Sequence, residues 1–435
     1  MAQGARAGWG TRTLSAPRFV MAAAVCMAAL LAGLLAGAVA LEPPPHLVKF
    51  SEDIASATGA RCLDGTAAGY YIREQDPKRW VVFLEGGGLC VEQVDCLLRA
   101  RGDRGSSKGW DQDYNKSFWG PFSTDPEAPF GNFSQVLVPY CSGDMWLGQE
   151  RKGRLKMGGL RMSGHLILST AVNQLFQNTA FSGAEEVIFS GTSAGGVGVI
   201  QHTDWLRDRL QDLRGNSTAA APRLASFPLA GLFFPEEWPV LFERFLFGST
   251  APVDGFMSWY VHSIEGGFLH SGCKAAAASS GAHNFTCFDI SKVLPHVQGD
   301  LFLLQNQFDK LQVHDLGLCP KQSCTQSSGP RSFGGRFVRL LGARVRQTLT
   351  ELAPQRPRMG IYAPGAFEHD MNLIEFLEGK PYKIEGISLK AAFLSWYAER
   401  KPVNLIADTC NEDGPCAWPH VSADAASAAL LPISV

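Results

Sequence analysis

The sequence predicts an α/β fold with a doubly wound, mostly parallel sheet. Short, continuously apolar segments recur along the chain, and such segments are typical of strands covered on both faces. Helical patterns alternate with these segments, as expected when each strand returns to a parallel sheet through a helix. Glycine-rich turns follow two of the apolar segments, at the edge where sheets of this kind bind their ligands.

Five apolar segments are the expected central strands, at 80–84, 135–140, 187–190, 301–305 and 359–362. Helical patterns cover 164–177, 199–213 and 333–352. Residues 222–295 are rich in Phe, Trp, Gly and Pro, and we interpret them as an inserted lid or subdomain. We expect most aromatic side chains of this region to pack into its own core; the alternative is that they line a pocket.

The N-terminal residues 1–40 have the pattern of a secretory signal peptide. Three arginines and no acidic residue accompany the apolar stretch 20–35, and Ala38-Val39-Ala40 fits a cleavage site. The chain is therefore expected to be secreted, to the cell wall or elsewhere in the secretory pathway. The alternative is an uncleaved signal anchor that tethers the protein to the membrane.

The remaining residues, 41–435, are weakly acidic. When the three leader arginines are removed, 36 basic residues stand against 41 acidic ones, a formal net charge of −5. A chain of this charge without a basic block argues against nucleic-acid binding. Because neither a repeat nor a long linker interrupts it, we expect one domain without a membrane span, and a monomer.

Cysteine usage agrees with a secreted protein. One of the eleven cysteines, Cys26, lies in the leader, and the other ten are an even number, which predicts five disulfides. Zinc binding is the alternative, but the spacings lack a paired Cys-x-x-Cys arrangement. Sequence does not fix the connectivity; the natural local pairs are Cys90/Cys96, Cys273/Cys287, Cys319/Cys324 and Cys410/Cys416, which leaves Cys62 with Cys141.

Four Asn-x-Ser/Thr triplets are candidate glycosylation sites, at Asn115, Asn132, Asn216 and Asn284. Asn216 lies in a polar, loop-like stretch and is the best candidate, whereas Asn132 runs into an apolar strand.

The most informative segment is Gly-Thr-Ser-Ala-Gly-Gly at 191–196, between an apolar strand and a helical pattern. A serine flanked by glycines at such a turn is typical of the nucleophile elbow of α/β hydrolases. The alternative is an ordinary small-residue turn. Ser193 is therefore the candidate nucleophile, and the fold is expected to be α/β-hydrolase-like.

A second glycine cluster, Glu85-Gly86-Gly87-Gly88-Leu89-Cys90, follows the first apolar strand. Loops of this type supply backbone N–H groups that stabilise the oxyanion of a tetrahedral intermediate. The candidate donors are the amides of Gly88, Leu89 and Ala194. We expect Glu85 to hold the loop by hydrogen bonds rather than to act as an acid.

A serine nucleophile needs a histidine base and an acid, which follow it in this chain order in α/β hydrolases. Asp309 comes at the carboxyl end of an apolar strand and is the candidate acid; Asp300 and Asp315 are weaker candidates. His369 follows a late strand and is the candidate base. His314 comes too soon after the acid, and His420 lies beyond the last cysteine.

Three motifs, at 84–90, 139–144 and 191–196, together resemble the pectin acetylesterase and Notum family of carboxylesterases, from about Arg61 to Cys416. The resemblance implies a secreted carboxylesterase and the same acid, Asp309. Family members usually have Trp at the position of Leu89, and often Ser or Ala at that of Glu368. The role of Glu368 stays open between raising the basicity of His369 and facing water.

These observations predict a secreted serine carboxylesterase with a Ser193–Asp309–His369 triad and no metal or organic cofactor. The expected substrate, by resemblance, is an O-acetyl or other short acyl ester on a polysaccharide. The alternatives are a deacylase that removes a fatty acyl group from a protein serine, and a catalytically silent secreted binding protein.

Overall fold

A computed structural model of the chain describes residues 1, 44–90, 93–114, 130–149, 159–215, 220–234, 267–314, 333–369 and 383–407. Most of the predicted signal peptide lies outside these residues. The glycosylation candidates Asn115 and Asn216 also lie outside them, as do Cys319, Cys324, Cys410 and Cys416. In the part of the chain that is described, no helix is both long and apolar enough to span a membrane.

The described residues from 44 onwards are built around a sheet of nine strands, in the order β1-β2-β4-β3-β5-β6-β7-β8-β11. A separate two-stranded hairpin consists of β9 and β10. The strands are β1 His46–Lys49, β2 Gly69–Arg73, β3 Arg79–Leu84, β4 Ser134–Val138, β5 Glu186–Thr192, β6 Arg223–Leu229, β7 Asp300–Leu304, β8 Gly360–Ala363, β9 Lys383–Ile384, β10 Ile387–Ser388 and β11 Asn404–Ile406.

All neighbours from β4 to β11 in this sheet pair in parallel, whereas at one edge β1 pairs antiparallel with β2, and β2 antiparallel with β4. The described α-helices are α1 Glu52–Thr58, α2 Gln93–Arg99, α3 Gly164–Asn178, α4 Ala194–Arg214, α5 Ser271–Ser280, α6 Ile290–Val293, α7 Lys310–His314, α8 Phe333–Leu352 and α9 Leu389–Glu399. The chain thus has the mostly parallel, α/β-hydrolase-like sheet that the sequence predicts.

Both faces of the sheet are covered. Alternate residues of β3 point to opposite sides, so Val82 joins the buried cluster that includes Ile167 of α3, while Phe83 joins the cluster of Phe393 on α9. This two-sided burial explains why the central strands are continuously apolar in sequence.

The fold differs from expectation at β6. This strand, Arg223–Leu229, lies between β5 and β7 in the centre of the sheet, although it falls in the range 222–295 that we assigned to an insertion. Pro228 and Ser226 interrupt its apolar pattern, and proline is unusual in a central strand because it cannot donate a ladder hydrogen bond. An insertion after β6 stays a prediction.

Three disulfides lie within the described residues, Cys62–Cys141, Cys90–Cys96 and Cys273–Cys287, and these are the pairs expected from the sequence. Asn132 and Asn284 are exposed. Their glycosylation stays a prediction.

Candidate active site

The central parallel strands end at one level, which brings the loops after them together. Leu84 of β3 pairs with Gly191 of β5, and Leu304 of β7 pairs with both Leu229 of β6 and Tyr362 of β8. Ser193, Asp309 and His369 follow β5, β7 and β8 respectively, so the three candidate catalytic residues lie at the same edge of the sheet.

Ser193 occupies a sharp turn between β5 and α4. Its backbone has φ 57° and ψ −120°, a conformation that L-residues rarely adopt. The Ser193 N–H donates to the carbonyl oxygen of Leu229 at 2.9 Å, which ties the turn to β6. Such a strained, tightly held serine is the geometry of a nucleophile elbow.

Glycines surround this turn because there is no room for side chains. A Cβ on Gly86 would lie 2.7 Å from the carbonyl oxygen of Thr192 and 3.1 Å from Cβ of Ser193. A Cβ on Gly191 would lie 2.8 Å from the carbonyl oxygen of Leu84. The two glycine clusters identified in the sequence therefore pack directly against each other at the serine.

His369 and Asp309 form a buried pair. The His369 Nδ1 atom lies 2.9 Å from both Oδ1 and Oδ2 of Asp309, and the two residues are 6% and 0% exposed. A neutral imidazole that donates from Nδ1 to a carboxylate has Nε2 as its proton acceptor. The pair therefore holds the histidine in the tautomer that a general base requires.

Two glutamines hold the Asp309 carboxylate in place. Gln305 Nε2 and Gln312 Nε2 donate to Oδ2 at 3.3 and 3.4 Å. The same side chains bind the backbone of Leu232: Gln305 Oε1 accepts from its N–H, and Gln312 Nε2 donates to its carbonyl. Both glutamines are buried, and the sequence alone does not indicate their role because the Leu232 backbone that orients them lies more than 70 residues away.

The backbone completes the coordination of this carboxylate. The N–H groups of Leu311 and Gln312, at the start of α7, donate to Asp309 Oδ1 at 2.9 and 3.3 Å. Asp309 is thus oriented independently of His369, as an acid that positions a base should be.

The glycine loop after β3 is held by Glu85, as expected. Glu85 Oε2 accepts from the Tyr140 N–H at 2.9 Å, so this side chain ties the glycine loop to the loop after β4. Gly88 has φ 70°, which favours glycine. In the part of the chain that is described, no backbone carbonyl accepts from the amides of Gly88 or Leu89, so both remain candidate oxyanion donors.

Asp144, the last residue of the 139–144 motif, is a further organising residue of the site. Its fully buried carboxylate accepts from Ser142 Oγ at 2.6 Å and from the N–H groups of Trp146, Gly148 and Gly164. Burial raises the pKa of this carboxyl, against the lowering effect of these donors. Asp144 thereby fixes the loop that packs beneath the glycine loop.

Two other histidine clusters serve the fold. His202 on α4 lies 3.0 Å from His165 on α3, and both rings stack on Phe268. Burial lowers the pKa of His165 to about 4. His270 pairs with Asp204 at 2.9 Å, but its Nδ1 accepts from the Cys273 N–H, so this ring caps α5.

The described residues contain no group of three or more His, Cys, Asp or Glu side chains that could hold a metal ion. The site itself combines a serine at an elbow, a histidine oriented by a carboxylate, and candidate amide donors at two glycine turns.

The fold is shared with a solved structure, the Wnt deacylase Notum from Drosophila. The two chains superpose with a TM-score of 0.66 at 22% identity, over 86% of this chain and 98% of the other. The fold and the site thus define the class of protein: an α/β-hydrolase-like chain with a serine elbow and a buried acid–histidine pair.

The model of the pectinacetylesterase family matches residues 48–419, and the chain belongs to this family of carboxylesterases. Among its relatives, the zebrafish palmitoleoyl-protein carboxylesterase notum1a is 27% identical over 386 residues, which are 83% of this chain and 69% of the relative. Pectin acetylesterase 5 of Arabidopsis thaliana is 34% identical over 173 residues, 38% of this chain and 40% of the relative.

Proposed function

We propose that this protein is a secreted serine carboxylesterase that uses Ser193, Asp309 and His369 as its catalytic triad. The observation that carries the proposal is the buried contact of His369 Nδ1 with both oxygens of Asp309, at the same sheet edge as the strained Ser193 turn. Family membership supports the reaction class.

In this mechanism, Ser193 Oγ attacks the ester carbonyl while His369 Nε2 takes its proton. Asp309 stabilises the imidazolium that forms. The negative charge on the former carbonyl oxygen is stabilised by the amides of Ala194, at the N-terminus of α4, and of Gly88 and Leu89. The alcohol leaves with the proton from His369, and water then releases the acid from the acyl-enzyme by the reverse sequence of proton transfers.

For the acyl group, our first candidate is acetyl or another short acyl on a polysaccharide. Phe234, in the aromatic-rich stretch after β6, belongs to a buried core cluster and is 1% exposed, which agrees with packing of these aromatic side chains into a core. Phe233 belongs to the same cluster, but its ring centroid lies 6.1 Å from that of His369, beside the candidate base. Because each buried methylene contributes only about 0.8 kcal/mol, preference for a long chain requires a continuous apolar channel.

The second candidate is a fatty-acyl ester on a protein. It is favoured by the extent of the match: the palmitoleoyl-protein carboxylesterase relative aligns over 83% of this chain, and the pectin acetylesterase relative over 38%. A candidate of another class, a silent binding protein, is disfavoured because serine, acid and histidine positions are all filled.

The experiment is a panel of acyl esters, from acetyl to palmitoyl, on one chromogenic alcohol, with kcat/KM measured for each. We expect acetyl to be turned over best. A steady rise in kcat/KM with chain length would replace the first candidate by the second. Ser193→Ala is the matched control, because it removes one hydroxyl and leaves the pocket in place.

Labelling by a fluorophosphonate tests the reaction class itself, because the probe needs an activated serine. We expect the wild-type protein to be labelled at Ser193 and the Ser193→Ala variant to stay unlabelled. An unlabelled wild-type protein would favour the silent binding protein.

A further inference from the structure

Arg99, the last residue of α2, lies behind the glycine loop. Its Nη1 donates to the carbonyl oxygen of Gly87 at 2.5 Å, and its Nη2 donates to that of Leu89 at 3.3 Å. The guanidinium thus spans the loop on the side of its carbonyl groups. The Cys90–Cys96 disulfide joins the same helix to the end of the same loop.

Because the peptide bond is planar, the direction of each carbonyl that Arg99 contacts fixes the direction of the N–H that follows it. In a trans peptide, the carbonyl and the following N–H point in opposite directions. The Leu89 carbonyl shows the relation, because it faces Arg99 while the N–H of Cys90 donates away from it, to the Gly143 carbonyl at 2.9 Å. By the same relation, the Gly88 N–H points away from Arg99.

A cation on a carbonyl also strengthens the donor at the other end of that peptide. Hydrogen bonds with a charged donor are about twice as strong as neutral ones, and successive hydrogen bonds polarise one another. Arg99 is partly buried, and among the described acidic residues none forms an ion pair with it. Its charge therefore acts on the two carbonyls that it contacts.

We propose that Arg99 is a positioning residue for the oxyanion hole: it fixes the Gly87–Gly88 peptide so that the Gly88 N–H faces the reacting carbonyl, and polarises that donor. This inference rests on the proposed esterase function. It adds a side chain outside the triad that acts on the transition state through the backbone and does not touch the substrate.

Arg99→Met keeps the aliphatic stem and removes the charge. Deleting a direct oxyanion donor lowers kcat by about 10²–10³-fold. Because Arg99 acts through the peptide, we expect about a tenfold loss in kcat, with KM changed less than twofold. Arg99→Lys keeps the charge and can reach one carbonyl but not both, so its kcat should lie between those of Arg99→Met and wild type. Arg101→Met, an exposed arginine two residues on, is the matched control and should match wild type.

A second measurement separates positioning from general support of the fold. An alkylphosphonate that forms a tetrahedral adduct with Ser193 should react about tenfold more slowly with Arg99→Met, while a competitive product alcohol should bind both proteins equally. Thermal unfolding shows whether each variant is folded, and Arg99→Lys keeps the test valid if Arg99→Met is not.

Wild-type kcat in Arg99→Met, or equal weakening of the adduct and of alcohol binding, would overturn the inference while leaving the esterase proposal intact. A wild-type protein that the phosphonate does not label would reject both.

Discussion

Lys310 and Glu368 form an ion pair, with 2.5 Å between Nζ and Oε2, that joins the residue after Asp309 to the residue before His369. The loops that carry the acid and the base are therefore linked outside the buried pair as well as within it. Asn306 adds a third link, because its Nδ2 donates to the Glu368 carbonyl at 3.1 Å. Glu368, whose role the sequence left open, pairs with a lysine.

Breaking this ion pair should reduce turnover slightly. Lys310 and Glu368 are 46% and 40% exposed, and exposed ion pairs contribute at most about 1 kcal/mol, so we expect a two- to fivefold lower kcat for Glu368→Gln at low salt. The double variant Lys310→Glu/Glu368→Lys, which restores the ion pair with the charges exchanged, should recover most of the lost kcat. Lys78→Gln, which breaks an exposed pair before β3 at the opposite edge, is the control. No recovery in the double variant would contradict the role of the pair.

Substitutions in the triad should have much larger effects. Ser193→Ala should abolish esterase activity with the fold intact, and Asp309→Asn should lower kcat on the order of 10⁴-fold because it stabilises the wrong histidine tautomer. Single-turnover kinetics measures the loss of activity, and thermal unfolding shows whether each variant is folded. Asp300→Asn, at the other end of β7, should be nearly neutral. Near-normal rates in His369→Ala would show that another group is the base.

Removal of the Cys90–Cys96 disulfide should affect activity more than stability. It closes a loop of sequence separation 6 beside the candidate oxyanion donors, and Cys273–Cys287, of separation 14, is the matched control. In the chain-entropy model, each loss destabilises by about 2–3 kcal/mol. Only the Cys90→Ala/Cys96→Ala protein should also lose kcat. Equal activities in the two double variants would count against the prediction.

Acidification should lower the free energy of unfolding through protonation of Asp204. Burial would raise the pKa of this carboxyl, but hydrogen bonds from His270, Gln298 and Gly299 outweigh burial and lower it. Because the pKa of Asp204 is lower in the folded than in the unfolded state, its ionisation stabilises the fold. This contribution is complete above the pKa of the unfolded state, about 3.9, and is lost as the pH falls through the pKa of the folded state.

The variant Asp204→Asn should therefore be less stable than wild type at neutral pH, by about 1.5–3 kcal/mol for one charged hydrogen-bond group. The difference should narrow below about pH 4. Urea unfolding across the pH range measures it, with exposed Asp208→Asn on the same helix as control. A difference that stays constant down to pH 3 would refute the linkage.

The sequence predicted the strands that are continuously apolar and the turns that follow them, because two-sided burial leaves a local signal. It missed β6, where Pro228 lies in the centre of the sheet, the edge strands β1 and β11, and β2 next to β1; these three are short or less apolar. Residue order and strand ends were enough to propose Asp309 and His369 as partners, and the structure brings these two together.

The residues that support the site were beyond reach, because their roles arise only in the folded chain. Gln305 and Gln312 act on Asp309 together with Leu232, and Arg99 acts on carbonyls across a loop. Backbone groups accept or donate in the contacts with Leu232 and with Arg99, and a backbone group leaves no mark on the residue types in the sequence.

The Cys62–Cys141 bridge has a consequence for how the protein must be made. It closes 79 residues of chain, a stretch that contains β2, β3, the glycine loop and β4, and both sulfur-bearing residues are fully buried. In the reducing cytosol of a bacterial host, that covalent closure would not form. Recombinant production should therefore use an oxidising compartment, with the thiol content of the purified protein as the first quality check before any assay.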